Sequence, residues 1–421
     1  MRILIPTDSF PPVCGGSGWS TYELARGLRD RGHQVLVVHV RPETPAVTRD
    51  TEYDDIKVVQ FGAPAPAAPF VRNYFKNERL WATLDTYLQQ IVRRDHVDVI
   101  HGQHVMSCVP SVRAGRATGV PAVCTVRDYW PVCYWSDLIH TTDESALCPA
   151  CSDRMMSVCV RPRAGTLWPL AIPMIPYMRG NLARKRTGLA AADAVIAVSS
   201  TIAADLRIRA PELAAARLEI IPNPVNIAEL RARAAMADRL LPEPYALYLG
   251  KLASNKGTAH LLPVAERARL DWPLVIVGDG PQRAELEAQA ARAPGRKTLF
   301  TGWVDRNTAM NWLAHASMLI FPSRGPESLS RVLIEASALG VAIAAMNTGG
   351  TADIVVHDKT GLLSTSPQAL AADVQRLRED DNLRARLGAA ARIYVESRFD
   401  SPPVVARIEQ LYQDLLQGRA A

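Results

Sequence analysis

The sequence predicts an α/β protein made of two doubly wound, Rossmann-like domains, each with a mostly parallel sheet covered by helices on both faces. Short apolar, β-branched runs alternate with helical patterns along nearly the whole chain, which is typical of such sheets. The length of 421 residues suits two domains of about 200 residues, each able to bury its own core. A second strand–helix series starts after Asn223-Pro224.

The first series begins at the start of the chain. Its predicted strands are the runs Arg2–Pro6, Gln34–His39, Val97–His101, Pro121–Thr125, Ala194–Val198 and Glu219–Ile221. Its predicted helices are Ser17–Arg31, Ser107–Thr118 and Asn181–Ala191. A segment rich in Cys, Trp, Pro and Met interrupts the alternation from about Tyr129 to Gly180, and we predict that it is an insertion.

The second series has the predicted strands Tyr245–Leu249, Leu274–Val277, Thr298–Phe300, Met318–Phe321 and Val341–Ala345. The last apolar-periodic segment, Pro403–Leu416, lies beyond what this sheet needs. We therefore expect domains at 1–222 and 223–400, with a helix in 401–421 that packs back toward the first domain. Ligands of open α/β sheets bind at the carboxyl ends of strands, so residues directly after strands are the candidates for a site between two facing domains.

Composition and charge exclude some protein classes. No run of about 20 apolar residues exists, and Met1–Pro6 lacks the apolar core of a signal peptide, so we expect a cytoplasmic protein. The seven Cys are then expected to be thiols or metal ligands rather than a disulfide framework. The net charge of +6 is modest, but one segment concentrates basic residues: Arg154, Arg161, Arg163, Arg179, Arg184, Lys185 and Arg186.

Two loops that follow strands indicate phosphate binding. Cys14-Gly15-Gly16-Ser17-Gly18 precedes the first helix, where glycines let a ligand approach the backbone and the helix N-terminus offers unpaired amides; a plain glycine turn remains an alternative. Lys251 and Lys256 lie five residues apart after the first strand of the second series. Two such cations suit a diphosphate, and a solvated turn is the alternative.

The segment Pro326–Glu335 carries two acids. Glu327 precedes a helix predicted from about Ser328, and Glu335 lies eight residues on, or about 12 Å along the helix axis. A carboxylate can accept hydrogen bonds from two vicinal hydroxyls. Two carboxylates at this separation, with helix-start amides beside them, could therefore hold a sugar, a diphosphate and a ribose one after another. Glu327 is alternatively a helix-start acid and Glu335 part of a solvated face, although a lone acid in this almost wholly apolar helix is costly unless used or paired.

The Glu-x7-Glu pattern resembles the retaining glycosyltransferases of family 4, which have the two-domain GT-B fold. Other matches stand in order: the Gly-Gly loop, Ile220–Asn226, Gly250–Gly257, Val277–Pro281, Phe300–Val304, Thr348–Val355 and Thr360–Leu363. The resemblance covers most of the chain and is strongest from Tyr245 to Leu363.

The resemblance implies a reaction and a set of roles. Such enzymes move a sugar from a nucleotide-diphosphate donor, here a UDP- or GDP-sugar, to a glycan, lipid-linked or small-molecule acceptor with retention of configuration. They generally need no metal ion, because cations and helix-start amides neutralise the leaving diphosphate. The implied donor residues are Gly15 and Gly16 at the phosphate, Lys251 and Lys256 at the diphosphate, Glu327 at the sugar, the Ser328, Leu329 and Ser330 backbone at the phosphates, Glu335 at the ribose, and Trp303 and Val304 at the base.

The chain departs from the family after one strand of the first series. Thr125-Val126-Arg127-Asp128 has Arg where the family usually has His. We count Arg127 with Glu327, Lys251 and Lys256 as candidate catalytic residues and hypothesise that it meets an anionic group on donor or acceptor, a structural salt bridge being the alternative. His101, His104 and Asp128 are candidate acceptor residues, although a satisfied buried His is the commoner case.

The predicted insertion contains two further features. Cys133, Cys148, Cys151 and Cys159 suit a structural zinc site or, less well, an iron–sulfur cluster; free thiols and disulfides are the alternatives. In the segment 166–179, three prolines forbid a continuous helix, and apolar residues with flanking Arg suit an anionic membrane leaflet and a lipid-linked acceptor. A core-facing loop is the alternative. The protein would then be peripheral on the inner face of the membrane.

Two other function classes compete with the transferase. A NAD-dependent two-domain oxidoreductase would explain two nucleotide-type domains, but Gly278-Asp279-Gly280 lacks the third glycine of the dinucleotide fingerprint. A zinc-containing nucleic-acid-binding protein would explain the Cys pairs, but the basic segment is interleaved with Pro and aliphatic residues. We therefore expect no nucleic-acid partner.

Overall fold

The computed structural model describes residues 1–42, 44–67, 69–140, 147–293, 295 and 297–420, and it divides the chain into two compact units. Unit 1 comprises Met1–Pro224 and Ser401–Ala421, and unit 2 comprises Val225–Asp400. Residues 141–146 of the predicted insertion and residue 421 of the predicted C-terminal helix lie outside the described residues. Each unit contains an α/β sheet, so the predicted fold class is confirmed.

The sheet of unit 1 has eight described strands. They are β1 (Arg2–Thr7), β2 (Gln34–Arg41), β3 (Thr48–Tyr53), β4 (Ile56–Gly62), β5 (Val99–Gln103), β6 (Ala122–Val126), β7 (Ala194–Ala197) and β8 (Leu218–Ile220). Their order is β3-β4-β2-β1-β5-β6-β7-β8, and only the β3–β4 pair is antiparallel among these described strands. Neither strand of the β3–β4 hairpin was predicted: β3 is a polar, largely exposed edge strand without an apolar signal, whereas β4 is apolar and largely buried and was overlooked.

The helices of unit 1 that precede unit 2 in the chain cover the sheet. They are α1 (Gly16–Asp30), α2 (Pro69–Tyr74), α3 (Leu80–Asp95), α4 (Val105–Thr118), α5 (Asp153–Ala164), α6 (Trp168–Ala171), α7 (Ile175–Ala190) and α8 (Ser200–Arg209). The segment with three prolines forms successive short helical pieces. Pro169, Pro173 and Pro176 each lie at the first or second position of a new piece, where a missing N–H costs nothing.

Unit 2 has a parallel sheet of six described strands. They are β9 (Ala246–Leu249), β10 (Leu274–Val277), β11 (Thr298–Gly302), β12 (Met318–Phe321), β13 (Ala342–Met346) and β14 (Leu362–Ser364), in the order β11-β10-β9-β12-β13-β14. Its helices are α9 (Ile227–Ala235), α10 (Leu261–Arg267), α11 (Arg283–Ala291), α12 (Arg306–Ala314), α13 (Arg331–Leu339), α14 (Thr351–Ile354), α15 (Pro367–Glu379) and α16 (Asp381–Phe399). The order reverses between β9 and β12, which is the switch point where such sheets bind ligands.

The last helix, α17 (Ser401–Ala420), belongs to unit 1 although it follows unit 2 in the chain. Its buried residues Val405, Ile408 and Tyr412 share one apolar cluster with Ile3 and Ile5 of β1. Glu409 of the same helix accepts hydrogen bonds from Arg31 at 2.5 Å and from His33 at 2.9 Å. Helix α17 therefore completes the core of unit 1.

Candidate active site

Glu327 lies in the loop between β12 and α13, at the carboxyl edge of the unit 2 sheet. Glu327 is only 7% exposed, and its Oε1 accepts hydrogen bonds from Lys256 Nζ at 2.7 Å and from the Ser323 hydroxyl at 2.5 Å. Ser323 is itself buried, so it can hold the carboxylate in one orientation. Glu327 is thus a fixed carboxylate with a cation beside it.

A glycine turn after β13 fixes the Glu327 backbone. Gly350 N donates to Glu327 O at 2.6 Å, and Thr348 Oγ1 donates to Ser323 O at 3.2 Å. Gly349 has a φ of +53°, and a Cβ there would lie 2.1 Å from Glu327 O. Only glycine fits both the conformation and the space. The Thr348–Thr351 segment singled out in the sequence therefore supports the Glu327 loop directly.

The loop after β9 brings Lys256 to Glu327. Gly257 has a φ of +64°, and a Cβ there would lie 1.9 Å from Pro322 O, so the two loops touch backbone to backbone. The carbonyl of Asn255 accepts hydrogen bonds from Gly325 N at 2.7 Å and Arg324 N at 3.2 Å. Lys251 lies exposed in the same loop, and its carbonyl accepts a hydrogen bond from the Tyr248 hydroxyl at 2.8 Å. Both lysines thus stand at the carboxyl end of β9.

Glu335 lies within α13 and is 3% exposed, which excludes a solvated face. Its Oε1 accepts hydrogen bonds from Arg306 Nη2 at 2.7 Å and from Arg331 Nε at 2.8 Å. Burial opposes ionisation of this carboxyl, but the two guanidinium charges outweigh burial and hold its pKa below the usual value. Glu335 is therefore an ionised, buried and paired carboxylate.

The helix after Glu327 starts later than the sequence analysis expected. Ser330 is the residue that precedes the first turn, and α13 begins at Arg331 rather than near Ser328. Residues Ser328, Leu329 and Ser330 are thus a loop leading to the helix, and Leu329 is buried. The helix-start amides are those of Arg331 and the residues after it, because the first N–H groups of a helix have no intrahelical partner.

Trp303 and Val304 lie between β11 and α12, at the same edge of the sheet. The Trp303 residue is 69% exposed, whereas Val304 is half-buried. Asp305 accepts hydrogen bonds from Asn307 N and Thr308 N and thereby starts α12 directly behind them. An exposed indole in this place offers a flat apolar face to a planar ligand.

In unit 1, the glycine loop ends at the N-terminus of α1. Gly15 is the residue that precedes the helix and has no side chain to cap the first turn, and both Gly15 and Gly16 are exposed. A Cβ on Gly18 would lie 2.6 Å from Cys14 Cβ, so Gly18 packs against the loop. The structure therefore presents helix-start amides at Gly15 and Gly16 to solvent.

Three side chains of unit 1 gather at the carboxyl ends of the neighbouring strands β1, β5 and β6. His104 Nδ1 lies 3.5 Å from Asp128 Oδ2 and 3.9 Å from Asp8 Oδ2. Burial, more than the nearby Asp128 charge, raises the pKa of Asp8 above its usual value, and His104 opposes the rise. Sequence reasoning missed Asp8, although it directly follows β1 just as His104 and Asp128 follow their strands.

His104 has an unusual backbone. Its φ of 80° and ψ of 173° lie in a region that is otherwise almost confined to glycine. Residues are held in such conformations at a cost of about 1–3 kcal/mol when the surroundings fix them, and they concentrate at functional sites. The strain makes His104 a candidate for a functional role.

Two other candidates of unit 1 are buried. His101 is completely buried, with Nδ1 bonded to the Tyr412 hydroxyl at 2.5 Å and Nε2 to Thr125 Oγ1 at 2.7 Å. Both nitrogens are used inside the core, which favours the alternative of a satisfied buried His over contact with an acceptor. Arg127 is 5% exposed and donates to Gln103 Oε1 and, at 2.8 Å, to Asn223 Oδ1. These neutral amide partners tie β5, β6 and the Pro222–Pro224 segment together.

The four cysteines of the predicted metal site lie together in unit 1 as free thiols. Among the residues that the structure describes, no group of three or more His, Cys, Asp or Glu side chains is arranged to hold a metal ion. Structural zinc is thus not shown by the arrangement of these side chains.

Comparison with known protein families decides what the two units are. Residues 237–394 match the family described as Glycosyl transferases group 1, and residues 14–229, more than half of the chain, match Glycosyltransferase Family 4. The chain belongs to glycosyltransferase family 4. It is therefore a nucleotide-sugar-dependent glycosyltransferase of a retaining family in which transfer generally needs no metal ion, and the oxidoreductase and nucleic-acid alternatives are set aside.

Several glycosyltransferases are similar to the chain. Glycogen synthase from Mycobacterium tuberculosis is 25% identical and is matched over 99% of this chain and 96% of that protein. The GDP-mannose-dependent alpha-(1-6)-phosphatidylinositol monomannoside mannosyltransferase of the same organism is 33% identical over 209 residues, so the match spans 47% of this chain and about half, 52%, of that relative. Anabaena HepE, solved in complex with UDP-glucose, has a TM-score of 0.66 at 19% identity, over 98% of this chain and 100% of that chain, and establishes the GT-B fold.

Proposed function

We propose that unit 2 binds a UDP- or GDP-sugar and that the enzyme transfers its hexose to a hydroxyl of a glycan, lipid-linked or small-molecule acceptor bound by unit 1. The observation that carries this proposal is the fixed Glu327 carboxylate beside Lys256 at the switch point of the unit 2 sheet. A carboxylate accepts hydrogen bonds from sugar hydroxyls, and an adjacent ammonium neutralises a diphosphate. The choice of UDP- and GDP-sugars is supported by two similar proteins: HepE was solved in complex with UDP-glucose, and the mannosyltransferase relative is GDP-mannose-dependent.

In the proposed donor site, each charged side chain near the carboxyl ends of the unit 2 strands binds a different part of the nucleotide sugar. Lys251 and Lys256 neutralise the diphosphate, Glu327 accepts from sugar hydroxyls, and Glu335, ionised by its two arginines, accepts from the ribose. The exposed face of Trp303 flanks the base, and the family resemblance implies that the amides at Gly15 and Gly16 of unit 1 bind the donor phosphate. The site supplies the positive charge that a leaving diphosphate requires, so a metal ion is not needed for transfer.

The transfer of the sugar needs no basic side chain of the protein, because the donor phosphate accepts the proton. The bond from the anomeric carbon to the donor phosphate oxygen breaks, and the acceptor oxygen forms its bond to that carbon on the same face. The nucleoside diphosphate leaves with the bonding electrons, and its phosphate oxygen takes the proton of the acceptor hydroxyl. Lysines that stabilise the developing negative charge therefore lower the barrier more than they strengthen ground-state binding.

A panel of nucleotide sugars tests the donor proposal without knowledge of the acceptor. UDP- and GDP-sugars, with NAD as the comparison, are measured for thermal stabilisation and slow donor hydrolysis. We expect one sugar nucleotide to raise the midpoint of thermal unfolding and to be hydrolysed, because a ligand that binds only the folded protein stabilises it. Stabilisation by NAD alone would overturn the proposal.

We further propose that Asp8, His104 and Asp128 bind and orient the acceptor. They stand at the carboxyl ends of three neighbouring strands, and His104 is held there in a strained conformation. Two carboxylates and an imidazole can accept hydrogen bonds from acceptor hydroxyls. The idea that Arg127 meets an anionic sugar stays a hypothesis, and its hydrogen bonds to Gln103 and Asn223 favour a structural role.

A surface of unit 1 supports an acceptor held at a membrane. In the 166–179 segment, Leu167 is 64% exposed and Leu170 is 75% exposed, and Arg161 stacks 4.4 Å from the Trp168 ring. Apolar side chains beside guanidinium groups suit an anionic bilayer surface. No helix among the described residues is long and apolar enough to cross a bilayer. We propose peripheral contact through this segment.

Sedimentation with anionic vesicles at low salt tests this membrane proposal. The double variant Leu167→Glu and Leu170→Glu should lose most of its vesicle binding, because each change removes apolar contact and adds repulsion from anionic headgroups. Ile393→Glu is the matched control, since Ile393 is 74% exposed in unit 2. Wild-type protein that stays in the supernatant, or equal loss in both variants, would remove the membrane proposal.

A further inference from the structure

The loop between β11 and α12 joins the exposed Trp303 to the start of a capped helix. Asp305 begins α12, because its carboxylate accepts hydrogen bonds from Asn307 N at 2.9 Å and from Thr308 N at 3.1 Å. Arg306 is the first residue of this helix and lies three positions after the indole. The capped helix start therefore fixes both the Arg306 backbone and the end of the loop that carries Trp303.

The side chain of Arg306 bridges two helices of unit 2. Its Nη2 donates a hydrogen bond to Glu335 Oε1 at 2.7 Å, from α12 to α13 and across 29 positions of the sequence. The Arg306 side chain is 25% exposed, whereas that of Glu335 is 4% exposed. This contact thus ties a buried carboxylate to a half-buried cation on the helix that follows Trp303.

The second partner of Glu335 lies on the same helix as the carboxylate. Arg331 Nε donates to Glu335 Oε1 at 2.8 Å from four residues earlier in α13. A pair with this spacing can form wherever its own helix forms, so it does not restrain α13 relative to another helix. The pair between Arg306 and Glu335 does, because its two members belong to different helices. Burial opposes ionisation of Glu335, and the charge of Arg306 counteracts burial more than that of Arg331, which keeps the pKa of Glu335 below its usual value.

Both arginines donate to the same oxygen of the Glu335 carboxylate, Oε1. The two oxygens of an ionised carboxylate offer about four acceptor sites, so Oε2 can accept from a ligand while Oε1 stays bound to the protein. Two donors on one oxygen also set the direction in which the other oxygen points. Without Arg306, one hydrogen bond would remain, and the terminal torsion of Glu335, which has a broad rotational preference, would be less restrained.

We propose that Arg306 is a positioning residue, which holds Glu335 against the ribose of the donor and makes ribose binding depend on the loop that carries Trp303. This inference rests on the proposed function, in which Glu335 binds the ribose and Trp303 flanks the base. Base and ribose belong to one rigid nucleoside. A fixed link between the two protein contacts therefore reduces the ordering that binding would otherwise require.

Two nucleotides that differ only in the ribose test this role of Arg306. Calorimetry measures the affinity of UDP or GDP, whichever binds the wild type more tightly, and of its 2′,3′-dideoxy analogue. The wild type should prefer the ribonucleotide by about tenfold or more, because the analogue offers the charged Glu335 no hydroxyl donor. Arg306→Gln should lose about tenfold in affinity for the ribonucleotide and less than about twofold for the analogue, so the preference nearly disappears.

Arg378→Gln is the matched control. The Arg378 side chain is 29% exposed and donates to Asp271 Oδ2 at 2.6 Å, before the start of β10 and thus at the edge opposite the proposed donor site. This variant should keep the wild-type preference. Arg306→Lys should recover part of the preference, because an ammonium keeps the charge but lacks the planar fork of Arg. In a Glu335→Gln background, Arg306→Gln should change the preference no further, because Arg306 acts through Glu335.

Donor kinetics separate a positioning role from a purely structural one. At saturating donor, Arg306→Gln should keep turnover within about twofold of the wild type while KM for the donor rises about tenfold, because the lost contact serves the ribose and not the leaving diphosphate. Equal loss of affinity for both nucleotides, or an unchanged preference, overturns the inference and leaves the proposed function intact. A wild type that binds neither UDP nor GDP overturns both. If Arg306→Gln does not fold, a wild-type preference in Arg306→Lys overturns the inference.

Discussion

At the scale of single residues, the two acids of the Glu-x7-Glu pattern are held in different ways. Glu327 is oriented by a flexible lysine and a buried hydroxyl, and Glu335 is locked between two arginines. A carboxylate beside a mobile cation can exchange that partner for a ligand. A carboxylate between a buried and a half-buried guanidinium group keeps its charge and position whatever is bound, so it suits a binding contact that does not change during transfer.

We therefore predict that Glu335→Gln mainly weakens nucleotide binding, whereas Glu327→Gln mainly reduces transfer. Glutamine keeps the size of each side chain but removes the charge. UDP and GDP affinity by calorimetry and the transfer rate at saturating donor measure the two effects. Glu335→Ala should also destabilise unit 2 by about 3–5 kcal/mol, because Arg306 and Arg331 lose a buried partner. Equal loss of nucleotide affinity in both variants would contradict this division.

The raised pKa of Asp8 predicts how the stability of the protein depends on pH. Burial raises its folded-state pKa above the usual 3.8, so its contribution to stability is fully present below pH 3.8 and is lost as the pH rises through the folded pKa. Asp8→Asn should accordingly be more stable than the wild type at pH 7, with the difference vanishing toward pH 3.8. Urea unfolding at several pH values measures this.

The same variant should lose transfer activity if Asp8 orients the acceptor. A gain in stability together with a loss of activity is the pattern expected of a carboxylate retained for function. If Asp8→Asn is less stable than the wild type at pH 7, the stability prediction is wrong. If it is as active as the wild type, the proposed role of Asp8 in orienting the acceptor is wrong. Asp30→Asn, at an exposed carboxylate on α1, is the control for both measurements.

At the scale of elements, the loops matter more than the helices they connect. The turn after β13 positions Glu327 through the backbone, so its glycines support the proposed donor site although they have no side chain with which to touch a ligand. The sequence analysis found the Gly349-Gly350 pair as a family motif. Its physical task, support of the Glu327 carbonyl, became visible only when the loops after β12 and β13 were seen in contact.

Gly349→Ala should therefore damage both stability and transfer. A side chain at positive φ costs about 1–2 kcal/mol, and here the added Cβ also collides with the Glu327 carbonyl. Gly119→Ala is the matched control, since Gly119 has a φ of +75° but nothing within 4 Å of its Cβ. Thermal unfolding and transfer rate should both fall more for Gly349→Ala. A similar, small effect of the two changes would show that the contact with Glu327 is unimportant.

At the scale of the whole molecule, unit 1 is built from two separate segments of the chain, and its last helix follows unit 2 in the sequence. Helix α17 contributes Val405, Ile408 and Tyr412 to the cluster that contains β1, and Tyr412 satisfies the buried His101. The first 224 residues by themselves therefore lack part of their core. This arrangement makes the stability of unit 1 depend on the 20 residues of α17.

Deletion of residues 401–421 should destabilise unit 1 selectively. It exposes the apolar residues of β1 and leaves His101 Nδ1 without its hydroxyl partner, which alone costs about 1–3 kcal/mol. Hydrogen exchange should show lost protection in β1 and β5 while β9 and β12 keep theirs. Tyr412→Phe should reproduce a smaller part of the effect. Equal loss of protection in both units would contradict the prediction.

The sequence by itself determined the features that neighbouring residues encode. Apolar periodicity placed eleven of the fourteen described strands within a few residues. The lysines and glutamates of the proposed donor site were found because each lies in a loop after a strand or on the helix that follows it. It missed the β3–β4 hairpin, whose edge strand β3 is polar, and the three-residue strand β14. It also misplaced the start of α13, where Ser330 rather than Glu327 precedes the first turn.

The tertiary structure alone decided which distant residues meet. It joined Asp8, His104 and Asp128 from three strands, gave Glu335 its partner Arg306, and buried His101 against Tyr412, 311 positions away. Local patterns report the secondary structure of the residues that carry them, whereas these contacts depend on the order of strands and on the path of α17. That is why the donor motif and the candidates His104 and Asp128 could be found along the chain, whereas Asp8 and the meeting of all three side chains became visible only in the folded molecule.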